Sequence, residues 1–334
     1  MSEVLAIGVS HKTAPVAVRE RLALTPNSVA GFLRDVHGVA GVQEAVAIST
    51  CNRTEVYLVA SDPVEAETAV LGMLARKADI RPTELGSSIY APRNCDAARH
   101  LYRVTAGLES MIVGEAEVQG QVKRAYEDAL AARTTGPLTN HLFRAALATG
   151  KRVRHETSIG ERRLSVSSVA ASLAREQLHG LERREVLILG AGETSELAAR
   201  ALAEHGVEAI FVANRRHERA ISLAQRYGGQ AMSFDELPAE LTRADALVCA
   251  TSSPHPILDE EDIAAVMEAR EGRPLLIIDL AVPRDVAADV RDMPGVALYD
   301  IDDLHAVVRR NRSVRQTEAE RAEGIVEEEI QRFA

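Results

Sequence analysis

Ser49-Thr50-Cys51-Asn52-Arg53 sets a thiol and a guanidinium two residues apart, between the apolar runs 45–48 and 56–60. Such runs read as strands, so the thiol falls at the end of a strand, held on rigid scaffold within reach of a substrate. Thiolate is the nucleophilic form of cysteine and a neighbouring cation favours it, while a guanidinium also grips a carboxylate bidentately. On these grounds Cys51 is a candidate nucleophile, and Arg53 either lowers its pKa or holds an acidic substrate. From this segment alone the alternative is a packed cysteine, because free cysteine is among the most buried residue types.

A second constellation follows the apolar run 186–189: Gly190-Ala191-Gly192-Glu193-Thr194-Ser195, leading into the helical stretch 196–202. Strand, glycine turn and helix in that order make a dinucleotide site. Gly190 permits the tight turn, Gly192 lets backbone approach a pyrophosphate, and free amides at the helix N-terminus meet its charge. Ser195 stands where a third glycine would pack helix on strand; the alternative is a glycine-rich turn without a ligand. After the next strand, 209–213, the chain reads Asn214-Arg215-Arg216 where an acidic residue would bind a free ribose 2′-hydroxyl. Two arginines suit a 2′-phosphate, so NADPH is expected rather than NADH.

The elements that must position these groups can be read from apolar periodicity. Strands are expected at 4–9, 45–48, 56–60 and 87–90, with helices at 25–37 (Thr25 at the cap, Pro26 in the first turn) and 63–78. The order β-α-β-β-α-β is the ferredoxin-like α+β pattern, a sheet with helices on one face. Its first and third strands are central neighbours, which brings Ser10-His11-Lys12-Thr13-Ala14-Pro15 toward Cys51. From 94 to 156 the pattern is helical, interrupted at Gly107 and Gly114, and carries the polar residues His100, Ser110, Glu115, Glu117, Gln119 and Gln121. Further strands at 246–250, 275–279 and 296–299 complete a Rossmann domain, with 251–253 and 280–283 at strand carboxyl ends; Cys249 reads as core. Residues 303–333 read as one charged helix with an intermittent apolar stripe.

Composition bounds the function. The chain has 334 residues, enough for two or three domains, and 46% of them are hydrophobic and 26% charged. No run is apolar enough to cross a bilayer and no signal segment opens the chain, so a cytoplasmic protein without membrane attachment is expected. Cys51, Cys95 and Cys249 lie far apart without metal-ligand spacing, so neither a disulfide framework nor a metal site is indicated. A formal charge of −10 argues against general nucleic-acid coating, yet residues 141–163 carry Arg144, Lys151, Arg152, Arg154, Arg162 and Arg163 against Glu156 and Glu161.

Taken together, residues 10–15, Ser49-Thr50-Cys51-Asn52-Arg53-Thr54-Glu55, 107–115, Gly120-Gln121-Val122-Lys123 and the turn at 190–193 resemble the glutamyl-tRNA reductases over essentially the whole chain. The resemblance implies a catalytic domain (1–156), an NADP-binding Rossmann domain (157–302) and, from 303 to 334, the start of a long helix and of a dimerisation domain. Because the chain stops soon after that helix begins, the family's homodimer is not expected to form stably. The implied activity is NADPH-dependent reduction of glutamyl-tRNA to glutamate-1-semialdehyde through a Cys51 thioester, the entry to tetrapyrrole and heme synthesis from glutamate. Thr50, Asn52, Arg53, Ser110, Glu115, Glu117 and Gln121 would hold the glutamyl group, His100 would assist proton transfer, and Lys151 to Arg154 would contact tRNA. Glutamate-1-semialdehyde aminomutase is the implied partner that accepts the aldehyde. Two other classes share these features: a small-molecule NADP dehydrogenase, and a non-catalytic adaptor for tRNA or a partner enzyme.

Overall fold

The first strands form an antiparallel sheet of β1 (Glu3–Ser10), β2 (Val42–Thr50) and β3 (Arg53–Ala60), in the order β1-β3-β2. The computed structural model describes residues 2–115, 117–160, 165–207, 209–310 and 316–333. All of β3 is buried. Successive strand residues point to opposite faces, so both faces of this sheet are covered, not the one face expected. The added cover comes from helices beyond the ferredoxin-like set: α1 (Val16–Leu22), α2 (Val29–His37), α3 (Pro63–Ala78) and α4 (Pro82–Leu85) are followed by α5 (Cys95–Thr105), α6 (Glu117–Ala132) and α7 (Pro137–Glu156).

Two expected elements differ. The helix expected from Thr25 starts at Val29, because the Thr25 hydroxyl donates to Ser28 Oγ at 3.1 Å and closes a separate turn. The strand expected at 87–90 reduces to isolated bridges of Tyr90 with Gly8 and Arg93 with Leu5; Pro92 between them has no N–H to extend a ladder. These bridges lie on the edge of β1 that β3 leaves free, so the ferredoxin-like strand order is kept.

The second unit, residues 164–310, carries a parallel sheet of β4 (Glu185–Leu189), β5 (Ala209–Ala213), β6 (Gln230–Met232), β7 (Ala246–Cys249), β8 (Leu275–Asp279) and β9 (Val296–Tyr299) in the order β6-β5-β4-β7-β8-β9. That is the doubly wound Rossmann order, with its switch point between β4 and β7. Its helices are α8 (Val166–Gln177), α9 (Glu193–Glu204), α10 (His217–Arg226), α11 (Leu237–Leu241), α12 (Glu260–Ala269) and α13 (Ile301–Arg310).

The stretch read as one helix over 303–333 divides between the units: α13 belongs to the second and α14 (Gln316–Phe333) to the first, with 311–315 outside the described residues. On α14, Ala322, Val326 and Ile330 are buried in the core of the first unit. Around that stripe Arg99 pairs with Glu327 at 2.7 Å, Arg103 with Glu323 at 2.8 Å, and Arg152 with Glu328 and Glu329 at 2.8 Å each. No described helix is long and apolar enough to cross a membrane.

Candidate active site

Strands β2 and β3 pair to their ends with Thr50 opposite Arg53, which makes Cys51 and Asn52 the two-residue tip of the hairpin. Thr50 Oγ1 accepts the Asn52 N–H at 3.2 Å and braces the tip. On β1, Ser10 lies opposite Arg53, and the His11 N–H donates to the Asn52 carbonyl at 2.8 Å. Residues 10–15 thus reach the thiol's turn, as the topology requires. Asn52 is buried, and its Oδ1 has no hydrogen-bond partner among the described residues; an acceptor so placed suits a donor from a ligand.

Cys51 is half-buried. Burial pushes its thiol up to about 12; the Glu115 carboxylate adds to the rise, Arg19 opposes it and Glu117 adds again. The resting group is a thiol. Arg19, buried on α1, also donates to the Cys51 carbonyl and through Nε to the Ala14 carbonyl at 3.2 Å. The cation opposing the rise is therefore Arg19, whereas the sequence spacing assigned that part to Arg53.

Arg53 is buried and its guanidinium is otherwise engaged: Nη1 meets Glu55 Oε1 at 2.6 Å, and Nη2 donates to the Glu109 main-chain carbonyl. Glu55 collects three further donors, the Tyr57 hydroxyl at 2.7 Å, the Tyr90 hydroxyl at 2.5 Å and His100 Nε2 at 3.0 Å. Burial alone would raise the Glu55 pKa, but Arg53 and His100 outweigh it and hold the carboxyl below its usual range. Arg53 on its own does not disclose this cluster. Residues 53, 55 and 57 alternate on a strand and so share one face, a signal that was available.

Of the other expected substrate residues, Ser110 and Glu115 are buried, Glu117 begins α6, and Gln121 stands one turn further on the same helix face. Gly107 and Gly114 shape the turn that carries Ser110: both have positive φ, +81° and +85°, and the Gly114 N–H donates to the Gly107 carbonyl at 3.0 Å. Glu115 and Glu117 meet at the thiol through their charge. The basic stretch disperses. Arg152 is held by Glu156 and by α14, and Arg154 turns inward to Gln119 Oε1 at 2.8 Å and the Thr105 carbonyl at 3.0 Å. Lys151 alone of the four residues from 151 to 154 lines an open groove with Lys123, Gln119, Gly120, Leu147 and Ala148. Arg162 and Arg163 lie outside the described residues.

In the second unit Gly190 takes φ +115°, and a Cβ there would stand 2.7 Å from the Ala250 carbonyl. Gly192 caps α9, and a Cβ on it would meet nothing within 4 Å, so the space over the turn is open. The open space, the N-terminus of α9 and the exposed Arg215 and Arg216 at the end of β5 fit a dinucleotide. Asn214 donates to the Arg216 carbonyl at 3.1 Å and shapes that corner. Ser195, expected at the cofactor, is fully buried and donates to the Ala250 carbonyl at 3.2 Å, tying α9 to the end of β7. Glu193 and Thr194 form the first turn of α9. Across the sheet Asp279 accepts from the N–H groups of Ala281, Asp285 and Val286, and Asp285 accepts from Thr251; these two carboxyls lie with Cys249 in a buried cluster that the sequence did not announce.

Known proteins match both units. The model of the glutamyl-tRNA(Glu) reductase N-terminal domain matches residues 7–157, and that of shikimate/quinate 5-dehydrogenase matches 172–307. Glutamyl-tRNA reductase of Rubrobacter xylanophilus is 50% identical over 322 residues, 96% of this chain and 74% of that protein. The chain belongs to the glutamyl-tRNA reductase family. The same enzyme of Moorella thermoacetica is 44% identical over 331 residues, 99% of this chain and 75% of that one. The solved glutamyl-tRNA reductase of Methanopyrus kandleri is similar at 37% identity and a TM-score of 0.52, covering 98% of this chain and 79% of its own. As a family member the chain is an oxidoreductase whose second unit is a nicotinamide-nucleotide domain.

Proposed function

We propose that this chain reduces the glutamyl ester of glutamyl-tRNA to glutamate-1-semialdehyde with NADPH, through a thioester on Cys51, at the entry to tetrapyrrole synthesis. The observation that carries the reading is a half-buried thiol at a hairpin tip, under the charge of Glu115 and Glu117, in one chain with an open glycine turn flanked by exposed arginines. Cys51 Sγ attacks the ester carbonyl carbon, the carbon–oxygen bond to the ribose breaks, and the thiol proton ends on the departing tRNA hydroxyl. When bound, NADPH supplies the hydride that, with one proton, turns the thioester into aldehyde and free thiol.

The chain's own residues prepare the first step. A glutamyl ester carries an ammonium group, and its arrival between Glu115 and Glu117 neutralises the two charges that help hold the thiol protonated. Substrate binding then favours the thiolate. Arg53 Nη2 rests on a neutral carbonyl, and a substrate carboxylate makes the stronger, charge-assisted bond. His100, anchored through Nε2 on Glu55, stands as the proton carrier of this cluster.

Glutamyl-tRNA labelled in the amino acid tests the reading. Without NADPH one label per chain is expected on protein, lost on treatment with hydroxylamine; with NADPH the label is expected as semialdehyde. Free glutamate serving equally well would instead favour a small-molecule dehydrogenase. For the cofactor, exchanging both Arg215 and Arg216 for serine should raise the KM for NADPH about ten- to hundredfold, the worth of charged hydrogen bonds, with the KM for NADH little changed. Equal loss for both nucleotides would refute the 2′-phosphate assignment.

A further inference from the structure

Glu109 has no part in the chemistry proposed so far, yet its carbonyl touches Arg53 and its carboxylate is held by Arg103. The Glu109 main-chain carbonyl accepts from Arg53 Nη2, while its carboxylate takes Lys12 Nζ on one oxygen and Arg103 Nε, at 2.8 Å, on the other. Arg103 also reaches with Nη1 to Glu323 Oε1 on α14 at 2.8 Å. Arg99, Arg103 and Arg152 each pair with a carboxylate of α14, and they differ in their second partners. Arg99 holds Asp96 on its own helix, and Arg152 holds Glu156 on its own helix. Only Arg103, among these three, has its second partner in the turn that carries Ser110.

We infer that Glu109 is a positioning residue, fixing the carbonyl on which Arg53 rests, and that Arg103 is the joint through which α14 keeps that carbonyl in place. This rests on the proposed transfer of the glutamyl group to Cys51. The turn is pinched by Gly107 and Gly114, so Glu109 projects from a short closed loop, and two cations on its carboxylate set the orientation of its peptide. Lys12 comes from the segment after β1, Arg103 from α5 and Glu323 from α14, so three separate elements converge on one side chain or its clamp. Loss of the clamp frees the peptide to turn, and Arg53 loses the register from which it would pass to a substrate carboxylate. The C-terminal helix thereby acts on substrate binding without touching substrate.

The test is single-turnover acylation of Cys51 by labelled glutamyl-tRNA over a range of substrate concentrations, on the full chain, with circular dichroism as the check on folding. Arg103→Ala and Glu109→Gln should lower the second-order acylation rate about 10²-fold, the scale of misplacing a binding group by an ångström, chiefly through weaker half-saturation, and Arg103→Lys should recover part of it. Glu323→Gln, removing an exposed arm, should cost about two- to fivefold alone and nothing further in the Arg103→Ala background. Arg99→Ala cuts another tie to α14 without touching Glu109 and should leave the rate unchanged. An Arg99→Ala loss equal to that of Arg103→Ala, full additivity of Glu323→Gln with Arg103→Ala, or unaltered acylation in Glu109→Gln would each overturn the inference while the wild-type thioester still forms. A wild-type chain that forms no thioester would instead remove the activity on which the inference rests.

Discussion

Cys51→Ala should abolish the labelled thioester and lower semialdehyde formation by about 10³-fold or more, since loss of a covalent nucleophile removes the path and not merely a contact. Cys51→Ser should be nearly as inactive, because an alkoxide is far harder to form and its ester is the poorer acceptor of hydride. A pH signature accompanies the loss. With the thiol pushed up to about 12, the thiolate fraction should rise about tenfold per pH unit from 7 to 9 without levelling, read as the rate of alkylation by iodoacetamide at Cys51 after subtracting the Cys51→Ala background. A substrate-like ammonium neutralising Glu115 and Glu117 should raise that rate at fixed pH, and Glu115→Gln should raise it with no ligand at all. A plateau already at pH 7 would contradict a resting thiol and with it the role given to substrate charge. Semialdehyde formation by Cys51→Ala at the wild-type rate would end the thioester mechanism.

What the sequence disclosed and what it withheld divide along a physical line. The hairpin tip, the glycine turn and the paired arginines are local: each is a run of neighbouring residues whose types state their geometry, and each stands where it was expected. Partners that come from distant segments were not legible. Arg19 acts on Cys51 from α1, a seven-residue helix too short for periodicity to show. Tyr90 and His100 meet Glu55 from segments 35 and 45 residues away. The motif places Ser195 at the cofactor because a motif records position along the chain and not the direction of a side chain, whereas the hydroxyl points to the Ala250 carbonyl. The stripe on α14 was visible, but its cover was not: Leu101 and Val104 of α5 and Val153 of α7 are ordinary core residues of the same buried cluster, and nothing in their spacing says which helix lies over them.

Glu55→Gln is expected to destabilise the first unit by about 3–5 kcal/mol, the cost of removing one member of a buried ion pair and leaving the other charge uncompensated. Glutamine fills nearly the same space, so the loss is electrostatic: Arg53 remains buried with Nη1 facing a neutral amide, and the Tyr57 and Tyr90 hydroxyls and His100 lose their shared charged acceptor. Gly8 shows how closely this point is packed, since a Cβ there would stand 2.8 Å from Glu55 Cγ. Activity should fall about 10²-fold as well, because Arg53 and His100 lose one common anchor. The double change Arg53→Met with Glu55→Gln should regain much of the stability and none of the activity, which separates the fold from the chemistry. Acid reports the same pair from the other side. Glu55 has a folded pKa depressed below its ordinary 4.5, so its stabilisation is fully present above that value and is lost as the pH falls from 4.5 toward the folded value. Thermal unfolding followed by circular dichroism should therefore show the wild type losing stability steeply below pH 4.5 and Glu55→Gln losing less, the two curves converging in acid. Parallel curves across that range would mean that folding does not depress the Glu55 pKa, and the network built on its charge would have to be reassigned.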